Sequence, residues 1–427
     1  MVIRGGAGIF YDTQLGWWRL GERAVIGGSG RQFIGNAAVT NPLTGQPFST
    51  AFLNSLALNY GAFLQLLPSL RAQQDAKYPG TGDQPQILLS KQATALGALY
   101  PHDFPTASAR HFNLGFQREL TGDMVLQADF VYRKMVHGTP GGFFGASVDY
   151  NRFNAIDGPV IPRCVGAQAN DPAAQCSSGP INFWWPGATS AYKGLLLRLD
   201  KRLAHRYEFT ASYALQSSQS IGDVTQNLND YFATYGPDLS RHNLTVSGLI
   251  DLPGQVQVSL LSTFLSRPPV APTINGFDNT GTNVSSSGYT PLLEVLGQGY
   301  SGYLSKSDLQ DLVNQYNSTI AGTLTPAGRA GITAGQRYPT ITLPSDYQLG
   351  DVFTSQDLRV MKTIGLGDRM QLRLIGEAFN IFNVSNLTNY NFNLVVPSTF
   401  GKANQRVGQT FGSGGPRAFQ LAARVSF

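Results

Sequence analysis

Strict alternation of apolar and polar residues marks several stretches of the chain. In Tyr207–Gln216, Tyr207, Phe209, Ala211, Tyr213 and Leu215 fall on one face, with Glu208, Thr210, Ser212, Ala214 and Gln216 on the other. The last residues repeat the pattern: Phe419, Leu421, Ala423, Val425 and Phe427 against Gln420, Ala422, Arg424 and Ser426. A period of two is the sign of a strand with one apolar face. Met124–Val136 sets Leu126, Ala128, Phe130 and Tyr132 against Gln127, Asp129, Val131 and Arg133. Ser108–Leu120 sets Phe112, Leu114 and Phe116 against His111, Asn113, Gly115 and Gln117. These two segments, with Val2–Tyr11, Ser190–Leu203, Arg241–Leu252, Val256–Ser266, Gln356–Ile364 and Arg369–Phe382, follow it less strictly. Ten strands are predicted, each near or above the roughly 9–11 residues that cross a bilayer as a tilted strand.

The connections alternate in length. Thr121-Gly122-Asp123, Ala204-His205-Arg206, Pro253-Gly254-Gln255 and Gly365-Leu366-Gly367-Asp368 are tight turns, whereas Asp12–Ala107, His137–Thr189, Ile221–Ser240, Arg267–Ser355 and Asn383–Gly415 are long. A soluble sandwich has no reason to gather every long connection at one end; an outer-membrane barrel has, with short periplasmic turns and long extracellular loops. The expected fold class is all-β: an antiparallel transmembrane β-barrel portion of about ten strands, with long extracellular loops containing short helices. The loop helices are expected in the Leu/Ala-rich Ala51–Lys77, interrupted by Gly61 and Pro68, and from a capping box at Ser307-Asp308-Leu309-Gln310 to about Tyr316.

Composition agrees with exposed strands and polar loops. Charged residues make up 13% of the 427, against 48 Gly, 25 Phe and 18 Tyr; soluble domains carry roughly 25% charge. No run approaches the roughly 20 apolar residues of a membrane helix. The net charge is only +5, with Lys and Arg spread along the chain, so no nucleic-acid partner is expected. Cys164 and Cys176 are the two cysteines, close together in a Pro/Gly/Asn-rich loop. They read as one local disulfide formed in an oxidising compartment; a metal pair is the rival reading, with no His between them. The start, Met1-Val2-Ile3-Arg4-Gly5-Gly6, has no basic region followed by an apolar core, so no signal peptide is expected in this chain and export depends on a missing N-terminal part.

Catalytic constellations do not emerge. His102, His111, His137, His205 and His242 are scattered, without HExxH spacing; Gly5-Gly6-Ala7-Gly8 opens no helix; no GxSxG elbow occurs. No enzyme activity, cofactor or metal site is expected. Asn243-Leu244-Thr245 and Asn283-Val284-Ser285 match a glycosylation pattern that short motifs meet by chance. The polar strand faces carry Asp129, Arg133, Arg198, Asp200, Glu208, Arg359, Arg373, Glu377 and Arg424. These are lumen-facing candidates for contact with a substrate or an internal plug; the plainer reading is solvated or mutually paired side chains in a wide barrel. Tyr132, Tyr192, Tyr207, Tyr213 and Phe427 are candidates for interfacial girdles.

Four segments add a resemblance. Arg4-Gly5-Gly6-Ala7-Gly8-Ile9-Phe10-Tyr11-Asp12, Asn113-Leu114-Gly115-Phe116-Gln117-Arg118-Glu119-Leu120, Arg241-His242-Asn243-Leu244 through Leu252-Pro253-Gly254, and Asp357-Leu358-Arg359-Val360-Met361-Lys362 with Glu377-Ala378-Phe379-Asn380-Ile381-Phe382-Asn383 stand in this order. Together they resemble the C-terminal part of TonB-dependent outer-membrane receptors, in particular the Oar-like group. The resemblance implies a barrel of roughly 22 strands around a plug, with residues 1–427 forming one C-terminal portion that lacks the plug and first strands. It implies energy-coupled uptake of an unknown large solute, contact with the TonB system only through the missing plug, and outer-membrane lipid around the wall. It also implies that Phe419, Leu421, Val425 and Phe427 form the signal read by the outer-membrane assembly machinery. The alternative within the same group is a surface or adhesive protein that transports nothing; a soluble all-β protein is the third possibility.

Overall fold

The computed structural model describes residues 1–11, 65–66, 68–69, 72, 104–138, 147–171, 174–221, 227, 229–230, 235–276, 280–281, 290–298, 303–367, 369–408 and 412–427. The first wall strands are β1 (Val2–Tyr11), β2 (Ser108–Thr121) and β3 (Met124–Gly138). A loop ladder of β4 (Ser147–Asp149) with β5 (Asn182–Trp184) precedes β6 (Ala188–Ala204) and β7 (Tyr207–Ile221). The short β8 (Tyr235–Pro237) pairs with the far end of β7. The wall continues with β9 (His242–Leu252), β10 (Val256–Leu265), β11 (Phe353–Leu366) and β12 (Met370–Phe379). After the loop hairpin β13 (Leu387–Tyr390) and β14 (Ala403–Arg406), β15 (Ala418–Ser426) ends the sheet.

The wall order is β1-β2-β3-β6-β7-β9-β10-β11-β12-β15, each strand antiparallel to the one before it. The meander follows from the tight turns, since two-residue hairpins join only antiparallel neighbours. His205 and Arg206 both have positive φ, 54° and 71°, as a type I′ turn requires to match the strand twist. The sheet is open: among the described residues no strand pairs the free edges of β1 and β15.

Every predicted wall strand is present, several with shifted ends. β7 runs on to Ile221, β11 begins at Phe353 and β12 stops at Phe379. Asn380, with φ 45°, leaves the pleat there, and its side chain caps the Val384 N–H at 3.0 Å. Of Ala51–Lys77 the described residues Gln65, Leu66, Pro68, Ser69 and Ala72 are helical; the rest of that segment, like Asn283, lies outside the described residues.

Burial is distributed unlike that of a soluble sandwich. On the wall, Leu114, Phe130, Leu260 and Leu374 are 41–52% exposed. The buried cluster lies instead in the long connections on either side of the β11–β12 hairpin. Val270, Ile274, Leu292, Leu309, Val313, Tyr316, Ile341, Leu349, Leu394 and Phe400 form one core. Two helices feed it, α1 (Leu292–Val295) and α2 (Lys306–Thr319), and α3 (Pro326–Arg329) follows them in the same connection. The α2 cap corrects the expected box. Ser305, not Ser307, is the N-cap: its hydroxyl accepts the Asp308 N–H at 3.1 Å and Asp308 Oδ2 accepts the Ser305 N–H at 2.8 Å. The carboxylate makes a stronger charge-assisted return bond than the Gln310 amide of the expected box. This register also buries Leu304 and Leu309 on either side of the first turn, the staple positions N′ and N4.

Candidate functional site: the polar wall face and the loop cap

Side chains directly opposite in an antiparallel ladder share a face, so the register assigns each wall residue a side. Arg4 stands opposite Gly115, Gly115 opposite Asp129, and Gln127 opposite Arg198. Asp200 faces Thr210, Arg359 faces Glu377 and Arg373 faces Arg424. Followed across the sheet, Asp129, Arg133, Arg198, Asp200, Glu208, Arg359, Arg373, Glu377 and Arg424 all fall on one face. The opposite face carries Phe112, Leu114, Phe130, Leu195, Leu197, Leu260, Val360 and Leu374. Phe419, Leu421 and Val425 lie on that apolar face of the edge strand, and Phe427 follows it, 98% exposed.

The polar face is held by ion pairs across strands and by one along β6. Asp129 and Arg133 share a face but stand roughly 13 Å apart along β3. Asp129 pairs instead with Arg4, two strands away: Arg4 Nη2 reaches Oδ2 at 2.8 Å and Oδ1 at 3.0 Å, and Nε reaches Oδ1 at 3.2 Å. Gly115, on the strand between, makes room for this crossing. Arg198 Nε donates to Asp200 Oδ2 at 2.7 Å, and Thr210 Oγ1 donates to Oδ1 at 2.7 Å. Glu377 approaches Arg359 across the ladder at 3.7 Å. Asp129 and Arg198 border one shallow cleft of about 320 Å³; Asp200 and Glu208 border another of about 450 Å³.

Tyr192 departs from the girdle expectation. Its register partner is Arg133, on the polar face, and its hydroxyl donates to Gln216 Oε1 at 3.2 Å. Tyr132, Tyr207 and Tyr213 are on the apolar face. Tyr207 lies at the turn end beneath Lys201, whose Nζ is 4.0 Å from the ring centroid. Lys201 is a residue that alternation alone places on the apolar face. It is buried, and its ammonium meets Asp123 Oδ2 at 2.8 Å and the Ala204 carbonyl at 3.1 Å. The Asp123 carboxyl is held down to about 2, first by that ammonium and then by the Thr121 hydroxyl.

At the loop end, two units stand above the wall. In the first, Cys164 and Cys176 are joined, with Cα atoms 4.8 Å apart. Asp149, buried there, accepts the backbone N–H groups of Asn151 and Ile181 at 2.9 Å each and that of Phe153; burial still raises its pKa. Arg163 stacks on Phe153 and donates to the Gly281 carbonyl at 2.9 Å, tying this unit to the connection between β10 and β11. The second unit is the helical cap. Between it and the ends of β10 and β11 opens a cleft of about 310 Å³ lined by Ser266, Asp351, Phe353, Asn389, Tyr390 and Phe392, among others. The Tyr390 and Phe392 rings are stacked 6.0 Å apart. Asp351 is the charged residue of this lining; burial and its carboxylate push the Tyr390 phenol up. The sequence reading missed this cleft because its walls come from two connections far apart in the chain, joined by Thr273 N–H to Phe392 O and Leu394 N–H to Thr273 O.

None of the curated proteins compared matches the chain. Among solved structures it is similar to the outer membrane transporter YddB from Escherichia coli, at 9% identity and a TM-score of 0.38, over 80% of this chain and 36% of that one. It is also similar to the ferric-catecholate import receptor Fiu from E. coli K12, at 10% identity and a TM-score of 0.34, over 76% of this chain and 28% of that one. The chain thus spans about a third of the length of these structures. The sequence profile of the family described as "Outer membrane beta barrel domain" matches residues 1–420, and the chain belongs to that family.

Proposed function

We propose that the chain supplies part of the wall and the outward loops of a TonB-dependent receptor that takes up a large solute across the outer membrane. The observation that carries this reading is the division of the wall into two faces. Its seven carboxylates, Glu119, Asp129, Asp200, Glu208, Asp251, Asp357 and Glu377, all lie on one face, while the other leaves large apolar side chains uncovered. Lipid against one face and a wet lumen against the other satisfy both. The long loops then face outward, with the cleft beside Tyr390 and Asp351 as the first place a solute meets. The Cys164–Cys176 bond fits an oxidising compartment. Closure of the open sheet asks for further strands, and coupling to the TonB system asks for a plug; among the described residues the sheet stays open. Phe419, Leu421, Val425 and Phe427 are assigned to recognition by the assembly machinery.

The packing of the loop cap around a core of its own favours one second reading, a surface protein whose loops bind a partner without transport. The experiment is to express the whole gene product in a Gram-negative host, supply spent medium, and compare internalised solutes by mass spectrometry with and without a protonophore. Solutes that enter only with the protein and an energised membrane support uptake. Surface retention that is indifferent to the protonophore, with no internalised solute, supports the adhesive reading and rejects transport.

A further inference from the structure

Charge on the apolar wall face is of one sign. Every wall carboxylate is on the polar face, and the charged residues of the apolar face are Arg110, Arg118, Lys134, Lys193, Lys201 and Lys362. Those at the turn end are mostly satisfied within the protein: Lys201 by Asp123 and Lys362 by the Gly254 carbonyl, with Arg118 unpaired among the described residues. The loop end differs. Arg110 and Lys134 are directly opposite in the β2–β3 ladder, and Lys193 on β6 is opposite Tyr132, hence diagonal to Lys134. All three are exposed, and their Cα atoms fall within roughly 12 Å by strand spacing and rise. Like charges directly opposite in a ladder destabilise it, and among the described residues no carboxylate answers these. On the polar face the comparable pair, Arg373 and Arg424, lies on the side assigned to the lumen, away from lipid. At the rim of an apolar band the available counter-charge is a headgroup.

We propose that Arg110, Lys134 and Lys193 bind the phosphate of an anionic lipid in the outer leaflet. The inference rests on the membrane reading above, with the long loops outward. Immediately below the three cations, Ile9 lies opposite Arg110, and Phe112, Tyr132 and Leu195 continue the apolar surface. Acyl chains lie against this surface while the basic stems extend toward the interface and place their charged heads at phosphate height. Several cations converging on one phosphate exceed the generic attraction of an anionic surface, which contributes roughly a fivefold affinity gain per basic residue. The occupant is a lipid rather than a free anion because the site has an apolar floor and no enclosing donors.

The test uses the whole gene product, in which further strands can close the sheet, refolded into phosphatidylcholine vesicles with and without a bis-phosphorylated glycolipid. Insertion is scored separately, by protease protection of the wall strands, and retained lipid by native mass spectrometry. The wild type should retain the glycolipid selectively. The triple variant Arg110→Gln, Lys134→Gln, Lys193→Gln should lose roughly 100-fold in apparent affinity, by the same per-residue gain, and Arg118→Gln should retain it. If the triple variant does not insert, Lys134→Gln alone carries the test, with a loss of roughly fivefold. Equal retention by wild type and an inserted variant, or displacement of the glycolipid by equimolar inorganic phosphate, overturns the proposal. An unprotected wall in both kinds of vesicle overturns the membrane reading and this proposal with it, and the protease assay tells that failure from the first.

Discussion

A Cβ added at position 115 would overlap Asp129 Oδ1 and stand 2.8 Å from Arg4 Nε. Gly115→Ala should therefore push the Arg4–Asp129 pair apart while leaving the β1–β2 ladder in register. The pair is partly exposed, with Arg4 47% and Asp129 24% accessible, so its loss should cost no more than about 1 kcal/mol. A double-mutant cycle of Arg4→Gln with Asp129→Asn, run with Gly and with Ala at position 115, checks this: the coupling between Arg4 and Asp129 should vanish in the alanine background. Asp123 makes the second residue-scale prediction. Its folded pKa, about 2, lies below the ordinary 3.8. Its contribution to stability is therefore present above 3.8 and is lost as pH falls through about 2. Acid titration should loosen the first two tight turns together in that window, because the Arg202 N–H also bonds the Asp123 carbonyl, at 2.8 Å. Amide exchange at Arg202 reads the transition, and Asp123→Asn should abolish its pH dependence.

At the scale of elements, the wall and the loops differ in how much of them the sequence discloses. A wall strand is fixed by period two and a turn, both local, so Tyr207–Ile221 and its partners are visible in the chain before any contact is known. The short strands β4, β5, β8, β13 and β14 are three or four residues long, too few to establish a period. They exist because a distant segment supplies their ladder, as Asn182–Trp184 does for Ser147–Asp149. For the same reason the Arg4–Asp129 pair was hidden: the partners are 125 positions apart. Helix α2 lies between these cases, since its periodicity is readable but its start is set by which serine an acid can reach back to. Ser305→Ala should remove the hydroxyl that accepts the Asp308 N–H and cost about 1 kcal/mol. Limited proteolysis of the cap should then begin near Lys306 at lower denaturant, while wall strands keep their protection. Equal loss in both would mean that cap and wall unfold as one unit.

On the scale of the whole molecule, the buried core is in the loops and the exposed apolar surface is on the sheet. In water that arrangement leaves a large patch uncovered, and the free edges of β1 and β15 add unpaired backbone groups. In a bilayer the patch is covered, but each unpaired edge group then costs several kcal/mol, which is why an open sheet of this kind asks for strands beyond its own. The division into faces can be tested away from either edge. Leu260 lies midway along β10 on the apolar face, and Ser259, beside it in sequence, lies on the polar face opposite Arg359. Both neighbours of β10 are in place, so neither position depends on how the sheet closes. In lipid vesicles Leu260→Arg should lower stability by roughly 2–4 kcal/mol near the bilayer midplane, and Ser259→Arg by much less because its side chain meets water. The shift in denaturant midpoint measures both. Burial of one face in a soluble fold would also give an asymmetry, so the same variants are compared in plain buffer. Cooperative unfolding of the wall strands there, without lipid, would reject the membrane wall, whereas a transition confined to the loop core would not; equal tolerance of the two arginines in vesicles would reject the assignment of faces.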